Sequence, residues 1–583
     1  MHALSAPRGE RILVAAAFAL LAALRLATLA PDPWEWDEVL FMEGVRDGLD
    51  VRVNHPHAPG YPVFIRLGQA VRALGVEPFR ATALAGAAGG LLSAIALYLL
   101  LRELGSRRGW ALSGALLYAL TPSVWLHGVR PLSDGPGAAA AFFAAFFLVR
   151  AIAGKGGDNL VAAAACVALA AGVRPQVGLA LLPAAGVAAF AVFRRGRSWR
   201  PLLLSLLAGA VLSAVIWLPV FASSGGFRVW KARFDAQMAW VTTFDSPRAR
   251  DVLSLPFWKR WWLDAVGHGK LAAAFLALGL AGAAARPRKA GLVLLVFAPI
   301  TALTLGVLST DSAPRYVLGF WAAPCALAVF ALERLERLRG GRPLAAAAAL
   351  VFLGGFAALG APAIVEVATK TSPSVAVMRS LVSSGIPAGR VYVTEPLRAH
   401  ADEYFRGKAR VVNELAPVAI PPDGVFVGAD DRPFGVVPQR AFTFESPRLV
   451  HISRARYLRT EIFEGSSGAG VFVPEVTPPG WQLRGRVQLP EGTTISVRAA
   501  TPAEVSFEAA ADGGRAEIET RTAAGVTETP VEGRARALSF AASPDSSGLL
   551  VAVSARRGRV VLDGFRILAR TDAPRASAPE SAP

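Results

Sequence analysis

Between Ile12 and Val365 the chain returns eleven times to apolar runs near the length needed to cross about 30 Å of hydrocarbon. The runs lie roughly at 12–30, 81–101, 109–126, 133–153, 160–173, 176–193, 201–222, 269–285, 290–308, 316–332 and 344–366. A chain with this pattern has one economical solution: helices that satisfy their own backbone hydrogen bonds inside a bilayer. Composition agrees, with 53% hydrophobic and only 18% charged residues. Two runs are short and adjacent where Arg174-Pro175 interrupts a long apolar stretch. The first run, preceded by Arg8 and Arg11, resembles a secretory signal in outline. No small-residue cleavage site comes before the acidic "PWEWDE", so the expectation is a membrane helix.

The formal net charge of +18 is placed unevenly. The first 370 residues hold 36 Lys and Arg against 20 Asp and Glu, and the rest hold 25 against 23. The positive charge gathers in alternate connections, "LRELGSRRG", "RAIAGKGG", "FRRGRSWR", "RPRK" and "ERLERLRGGR". By the positive-inside rule these, with the N-terminus, are cytoplasmic. The connections 31–80, 127–132, 174–175, 223–268 and 309–315, with everything after about 367, then face outside. A nucleic-acid role is excluded, because the basic residues serve topology and the outer region is nearly neutral. Cys166 and Cys325 both fall inside apolar runs, so neither a disulfide nor a metal framework is expected.

Residues 1–369 thus read as a membrane domain with a first outer loop at 31–80 and a long outer loop at 223–268. A small α/β domain is expected over 370–475: "GRVYVTEP" and "ARVVNEL" read as strands and "LRAHADEYFRG" as an amphipathic helix. From 476 to 570, short alternating runs such as "TISVRA", "AEVSFEA", "LLVAVSA" and "GRVVLDGFRILA" predict a β-sandwich. Residues 571–583 have the composition of a disordered tail. No internal repeat is visible.

The polar residues left near the outer surface are few. Asp37 and Glu38, with Glu35 beside them, follow the first run; Arg130 and Asp134 lie in "HGVRPLSDGPG"; Arg174 lies in the Arg-Pro break; Asp311, Arg315 and Tyr316 lie in "STDSAPRY". Ionisable groups at membrane depth are expensive, so carboxylates and arginines gathered on one side line a polar cavity with a task. A carboxylate can accept a proton from an attacking hydroxyl while guanidiniums bind a phosphate leaving group. A leaving group arriving from the lipid implies a polyprenyl-phosphate-linked substrate.

Four pieces occur in order: "WDEVLF", "HPHAPGYP", "GVRPLSD" and "APRYVLGFWAAP". Together they resemble the GT-C membrane glycosyltransferases, near the protein O-mannosyltransferase and lipid A aminoarabinose transferase branch, over about residues 10–366. The resemblance implies a GT-C fold of about eleven transmembrane helices with the extracytoplasmic α/β and β-sandwich region appended. It implies a hexosyl or pentosyl transfer with inversion, by a single displacement from a polyprenyl-phosphate sugar to a protein, lipid or glycan. Asp37 carries over as base or acceptor-orienting group, with Glu38 its neighbour and Asp134 a supporting carboxylate. Arg315, Arg174 and Arg130 would hold the lipid phosphate, and His55, His57, Tyr61, Asp311 and Tyr316 complete the substrate-binding set. The implied location is a bacterial inner membrane, in cell-envelope glycosylation.

Each residue has a plainer use. Asp37 and Asp134 suit helix starts, and Arg315 and Tyr316 suit interfacial anchoring. His55 and His57, with Asp37 or Glu38, offer ligands for a divalent ion; the preferred reading has no cofactor, the rings bonding the loop or substrate. The tryptophans of 223–268 suit an outer-leaflet surface. A lipid-linked sugar transporter fits less well, since no paired halves or matched broken helices are visible. An inactive glycan-binding protein is a third reading. A β-sandwich by itself does not choose between acceptor recognition and a partner contact.

Overall fold

In the computed structural model the described residues are 8–241, 263, 265–307, 315, 317–394, 397–412, 425–429, 440–443, 459–464, 487–489, 494–498, 503–511, 515–543, 549–558 and 560–569. The chain divides into two compact units: residues 1–371 with 446–455, and residues 372–445 with 456–583.

The first unit is helical. Its early elements are α1 (Arg8–Ala27), α2 (Trp36–Asp47), α3 (Pro62–Arg72), α4 (Pro78–Glu103), α5 (Arg108–Leu120), α6 (Pro122–His127), α7 (Asp134–Ile152), α8 (Asp158–Val173), α9 (Pro175–Ala180), α10 (Leu182–Gly196), α11 (Arg200–Ser223) and α12 (Phe227–Trp240). Helices Gly269–Ala285, Pro287–Val307, Ala322–Glu336 and Gly341–Thr369 follow. Among the described residues, each apolar run overlaps helix. Among the described residues, five stretches are long and apolar enough to cross a membrane: α4, α7, Pro175–Gly196, α11 and one beginning at Gly341. The other runs form helices that are shorter, broken at proline, or flanked by charge. Proline starts α6 and α9 because it lacks the N–H that a helix interior needs and a first turn does not.

The core of this unit is the packing of α4 on α7, and glycine permits it. A Cβ on Gly89 would stand 2.2 Å from the Pro136 nitrogen, and one on Gly86 would stand 2.5 Å from the Arg130 carbonyl oxygen. The chain from Arg130 to Pro136 therefore rests directly on α4, the close backbone approach that small residues allow between membrane helices. Gly89→Val is expected to destabilise by at least ~1–3 kcal/mol, because backbone rather than a flexible side chain must move. Thermal unfolding of the purified variant checks this.

The second unit holds three sheets. A five-stranded sheet runs in the order β2 (Arg410–Val412), β1 (Val391–Thr394), β3 (Val425–Ala429), β5 (Arg459–Glu464), β4 (Arg440–Thr443). β1 pairs parallel with β2 and β3, and the Arg398–Phe405 helix lies between β1 and β2 in sequence. Such a parallel pair needs a crossover of this kind. Val377, Met378, Leu381, Val391, Val393, Leu397, Ala401 and Val427 make its core. Two four-stranded antiparallel sheets follow. One joins β10 (Gly525–Val531), β9 (Ala516–Thr522), β12 (Leu549–Arg557) and β7 (Thr494–Arg498); the other joins β11 (Arg536–Ala542), β8 (Ala503–Ala511), β13 (Val560–Ala569) and β6 (Val487–Leu489). Val505, Phe507 and Ala509 alternate inward on β8, as do Val551, Val553 and Ala555 on β12, the period-two pattern of strands with one buried face. The tail after 570 lies outside the described residues.

Candidate active site

Three breaks in helix bring charged residues together in the first unit. After α1 the chain turns into α2, and the Ala30 N–H donates to the Val129 carbonyl (3.2 Å), tying this turn to the α6–α7 connection. At the second break Pro175 disfavours a helical conformation for the residue before it. Arg174 is extended (φ −145°, ψ 103°), and α8 ends there. The third break leads from Arg315 into a 3-10 turn, Val317–Gly319. Tyr118 Oη pins that turn by donating to the Leu318 carbonyl (2.9 Å), and Trp321 Nε1 donates to Thr121 Oγ1 (2.9 Å).

Arg315 is the hub. Its Nη1 donates to Glu35 Oε2 (2.9 Å), its Nη2 donates to Asp37 Oδ2 (2.6 Å), and its Nε lies 3.6 Å from Asp134 Oδ2. Arg174 donates from Nη2 to the same Asp134 oxygen (2.8 Å) and from Nε to Ser133 Oγ (3.1 Å). Arg130 pairs with Glu35 Oε1 (3.0 Å) and Glu38 Oε1 (2.5 Å), and Glu38 Oε2 accepts from the Trp34 N–H (2.6 Å). Glu38, Arg130, Asp134, Arg174 and Arg315 are all buried. Asp37 and Asp134 occupy the first turns of α2 and α7, whose positive ends favour carboxylates. Neither helix shows a side-chain cap bond from its N-cap residue; the described Asp oxygens go to cations instead.

His57 adds a second partner for Asp37. Its Nε2 is 3.1 Å from Asp37 Oδ1 and its Nδ1 is 2.8 Å from the Ala58 carbonyl. Both partners are acceptors, so the ring donates through both nitrogens when both bonds form. His55 goes elsewhere: its backbone bridges Asp50, and its Nε2 lies 3.6 Å from Glu43 Oε2. The two histidines therefore diverge around Pro56 instead of sharing one ligand. Among the described residues no three His, Cys, Asp or Glu side chains are grouped to hold a metal ion. Tyr61 is buried, edge-on to His57 (5.3 Å between centroids) and to Phe41 (5.0 Å), so it packs beside the cluster and steadies His57. Trp230 of α12 donates to the Pro59 carbonyl (3.1 Å) and thereby ties α12 to the His-Pro turn. Asp311 and Tyr316 lie outside the described residues.

The carboxylates of this loop are set apart by their surroundings. Burial raises Asp37, but Arg315 and His57 outweigh it and hold the group well below the ordinary carboxylate range. Glu35 is likewise lowered, Arg130 and Arg315 overcoming burial. Glu38 goes the other way, pushed up to about 7 by burial and by Glu35 against the pull of Arg130. A raised carboxylate contributes stability that is fully present below its unfolded pKa and is lost as pH rises through its folded one. Glu38→Gln removes that loss. Its melting temperature relative to the parent is expected to rise between about pH 4.5 and about pH 7, as scanning calorimetry across that window would show.

Sequence reasoning did not assign roles to Glu35, Ser133 or His127. Glu35 bridges two arginines, and adjacent acids look alike in sequence. His127 stands in "LHGVRP" at the end of an apolar run, where a lone histidine reads as core. An apolar groove of about 390 Å³ between α3 and α11, lined by Val63, Leu67, Val215, Ile216 and Pro219 among others, contains none of the cluster residues.

Residues 54–222 match the protein-family model described as dolichyl-phosphate-mannose-protein mannosyltransferase. The chain resembles the GT-C membrane glycosyltransferases. The matched part of this GT-C-like core contains His55, His57, Tyr61, Arg130, Asp134 and Arg174; the acidic start of α2 and Arg315 lie outside it. No curated protein matches the sequence. Distant likenesses exist among solved structures. One is ArnT from Cupriavidus metallidurans bound to undecaprenyl phosphate, at 15% identity over 78% of this chain and 98% of that chain, with a TM-score of 0.47. Another is the arabinofuranosyltransferase AftD from Mycobacteria, at 14% identity over 96% and 61%, with a TM-score of 0.44. A third is the S. cerevisiae protein O-mannosyltransferase Pmt1-Pmt2 complex bound to the sugar donor, at 22% identity over 37% and 34%, with a TM-score of 0.30. This chain thus spans less than two thirds of the last two. The family match and the apolar helices together mark an integral membrane protein.

Proposed function

We propose that this protein transfers a sugar from a polyprenyl-phosphate-linked donor to a protein, lipid or glycan acceptor on the outer face of a membrane. A bacterial inner membrane with a cytoplasmic N-terminus is the proposed setting. The observation that carries the reading is the Asp37–Arg315–Asp134 cluster, a guanidinium fork held between carboxylates at the starts of two helices. The same fork suits a phosphate. The family description, in which the donor is a dolichyl-phosphate sugar, supports the same donor class.

When a donor phosphate takes the Arg315 N–H groups, Asp37 loses its main cation and becomes a better proton acceptor. The acceptor hydroxyl then attacks the anomeric carbon. Its proton passes to Asp37, the bond from the anomeric carbon to the phosphate oxygen breaks with its electron pair on that oxygen, and polyprenyl phosphate leaves. Arg174 and Arg315 neutralise the charge that develops. One displacement inverts the anomeric centre, so no second carboxylate nucleophile is needed. His57 holds the other Asp37 oxygen in place. No metal takes part in this proposal.

The test is a panel of labelled hexosyl and pentosyl polyprenyl phosphates offered to the purified full chain with protein, lipid and glycan acceptors. Release of polyprenyl phosphate from at least one donor is expected, unchanged by a chelator. Release from none, by folded protein, would overturn the proposal; release abolished by chelation would overturn its metal-free form.

A further inference from the structure

His127, the last residue of α6, is completely buried. Its Nδ1 lies 2.7 Å from the Ser123 carbonyl, with Ser123 Oγ at 3.3 Å. A carbonyl only accepts, so the proton of the neutral ring sits on Nδ1 and a lone pair remains on Nε2. Because Nδ1 bonds back to its own helix, Nε2 points away from it. That nitrogen is buried and has no hydrogen-bond partner among the described residues. Its charged surroundings are the ion cluster itself: Arg130, Glu35 and Arg315. Burial and the two arginines keep the ring neutral, holding it well below the ordinary histidine range. An acceptor left buried without a partner is costly, and a ligand that donates to it relieves that cost.

We infer that His127 is a substrate-binding residue whose Nε2 accepts a hydrogen bond from a hydroxyl group, carried either by the transferred sugar or by the acceptor. The inference rests on reading the cluster as a glycosyl-transfer site. The ligand chemistry follows from the surroundings. An ionised phosphate has no proton to give, and an ammonium group is repelled by Arg130 and Arg315; a neutral hydroxyl meets neither objection. The field that keeps the ring neutral also makes it a weak base, so the role is recognition and proton removal stays with Asp37.

The experiment uses the full chain, labelled with 15N-histidine, in lipid nanodiscs, with His127→Gln to assign the signal. The free protein is expected to show a protonated Nδ1 and an unpartnered Nε2. One probe is a hexosyl polyprenyl phosphate and the other a methyl glycoside standing for an acceptor. The source of the hydroxyl is whichever probe moves the Nε2 resonance upfield. His127→Leu is then expected to raise KM for that substrate about 10- to 100-fold, with kcat changed far less. The deoxy analogue lacking the contacted hydroxyl should lose the same factor with the parent protein and nothing with the variant. A protonated or already bonded Nε2 in the free protein, or no movement with either probe, overturns the inference. Turnover with an unmoved Nε2 sinks this inference alone; a moved Nε2 without turnover of any donor sinks the transfer reading alone.

Discussion

Asp37→Asn is expected to lower kcat by about 10²- to 10⁴-fold, the usual contribution of a positioned proton acceptor. An amide keeps the volume and one carbonyl oxygen but cannot take the acceptor's proton. The fold should survive, because Arg315 retains Glu35 at 2.9 Å and Asp134 at 3.6 Å, and Arg130 is held independently by Glu35 and Glu38. The measurement is single-turnover release of polyprenyl phosphate beside thermal unfolding of the same sample. Full turnover by the variant would contradict the assigned role.

Arg315→Gln is expected to be comparably severe, with kcat down about 10²- to 10³-fold, as when one preorganised donor to a developing anion is removed. The variant leaves Glu35, Asp37 and Asp134 without their shared cation, so it also perturbs the ground state. Arg315 is the largest influence lowering Asp37, and its loss moves the Asp37 pKa upward. The depressed Asp37 contributes stability that is present above its unfolded pKa and lost as pH falls through its folded one. The stability gap between parent and variant should therefore narrow on acidification, while residual activity falls away at a higher pH than in the parent. Arg315→Lys should recover little, since an ammonium group lacks the planar fork that spans several carboxylates. A pH–rate profile and calorimetry on both variants check these expectations; an unchanged acidic limb would contradict them.

Much of this arrangement was legible in the chain, for identifiable reasons. A helix satisfies its own backbone hydrogen bonds in hydrocarbon, so long apolar runs announced themselves as helices. Asp37, Asp134, Arg174 and Arg315 stood out because a charge at the end of an apolar run has few uses, and ion pairs join all four. Arg174 was marked further by Pro175, which ends α8 and lets the side chain turn toward α7. Other features depend on geometry that residue identity does not carry. His55 and His57 are two apart, yet the turn sends one to Glu43 and the other to Asp37. Gly86 and Gly89 look like any glycines of a membrane helix until Arg130 and Pro136 are seen lying against them. Length also misleads: proline breaks divide two of the apolar runs into paired helices, so a count of runs is not a count of straight spans.

In the proposed reaction the cluster around Arg315 handles a lipid phosphate while Asp37 receives a proton during sugar transfer. The most direct test follows one turnover of an accepted lipid-linked sugar, recording both the polyprenyl phosphate released and the anomeric configuration of the product. One polyprenyl phosphate per sugar transferred, with inverted configuration, is the expected result, and almost none from Arg315→Gln. Retained configuration, or a sugar that crosses the membrane still attached to its lipid, would contradict it.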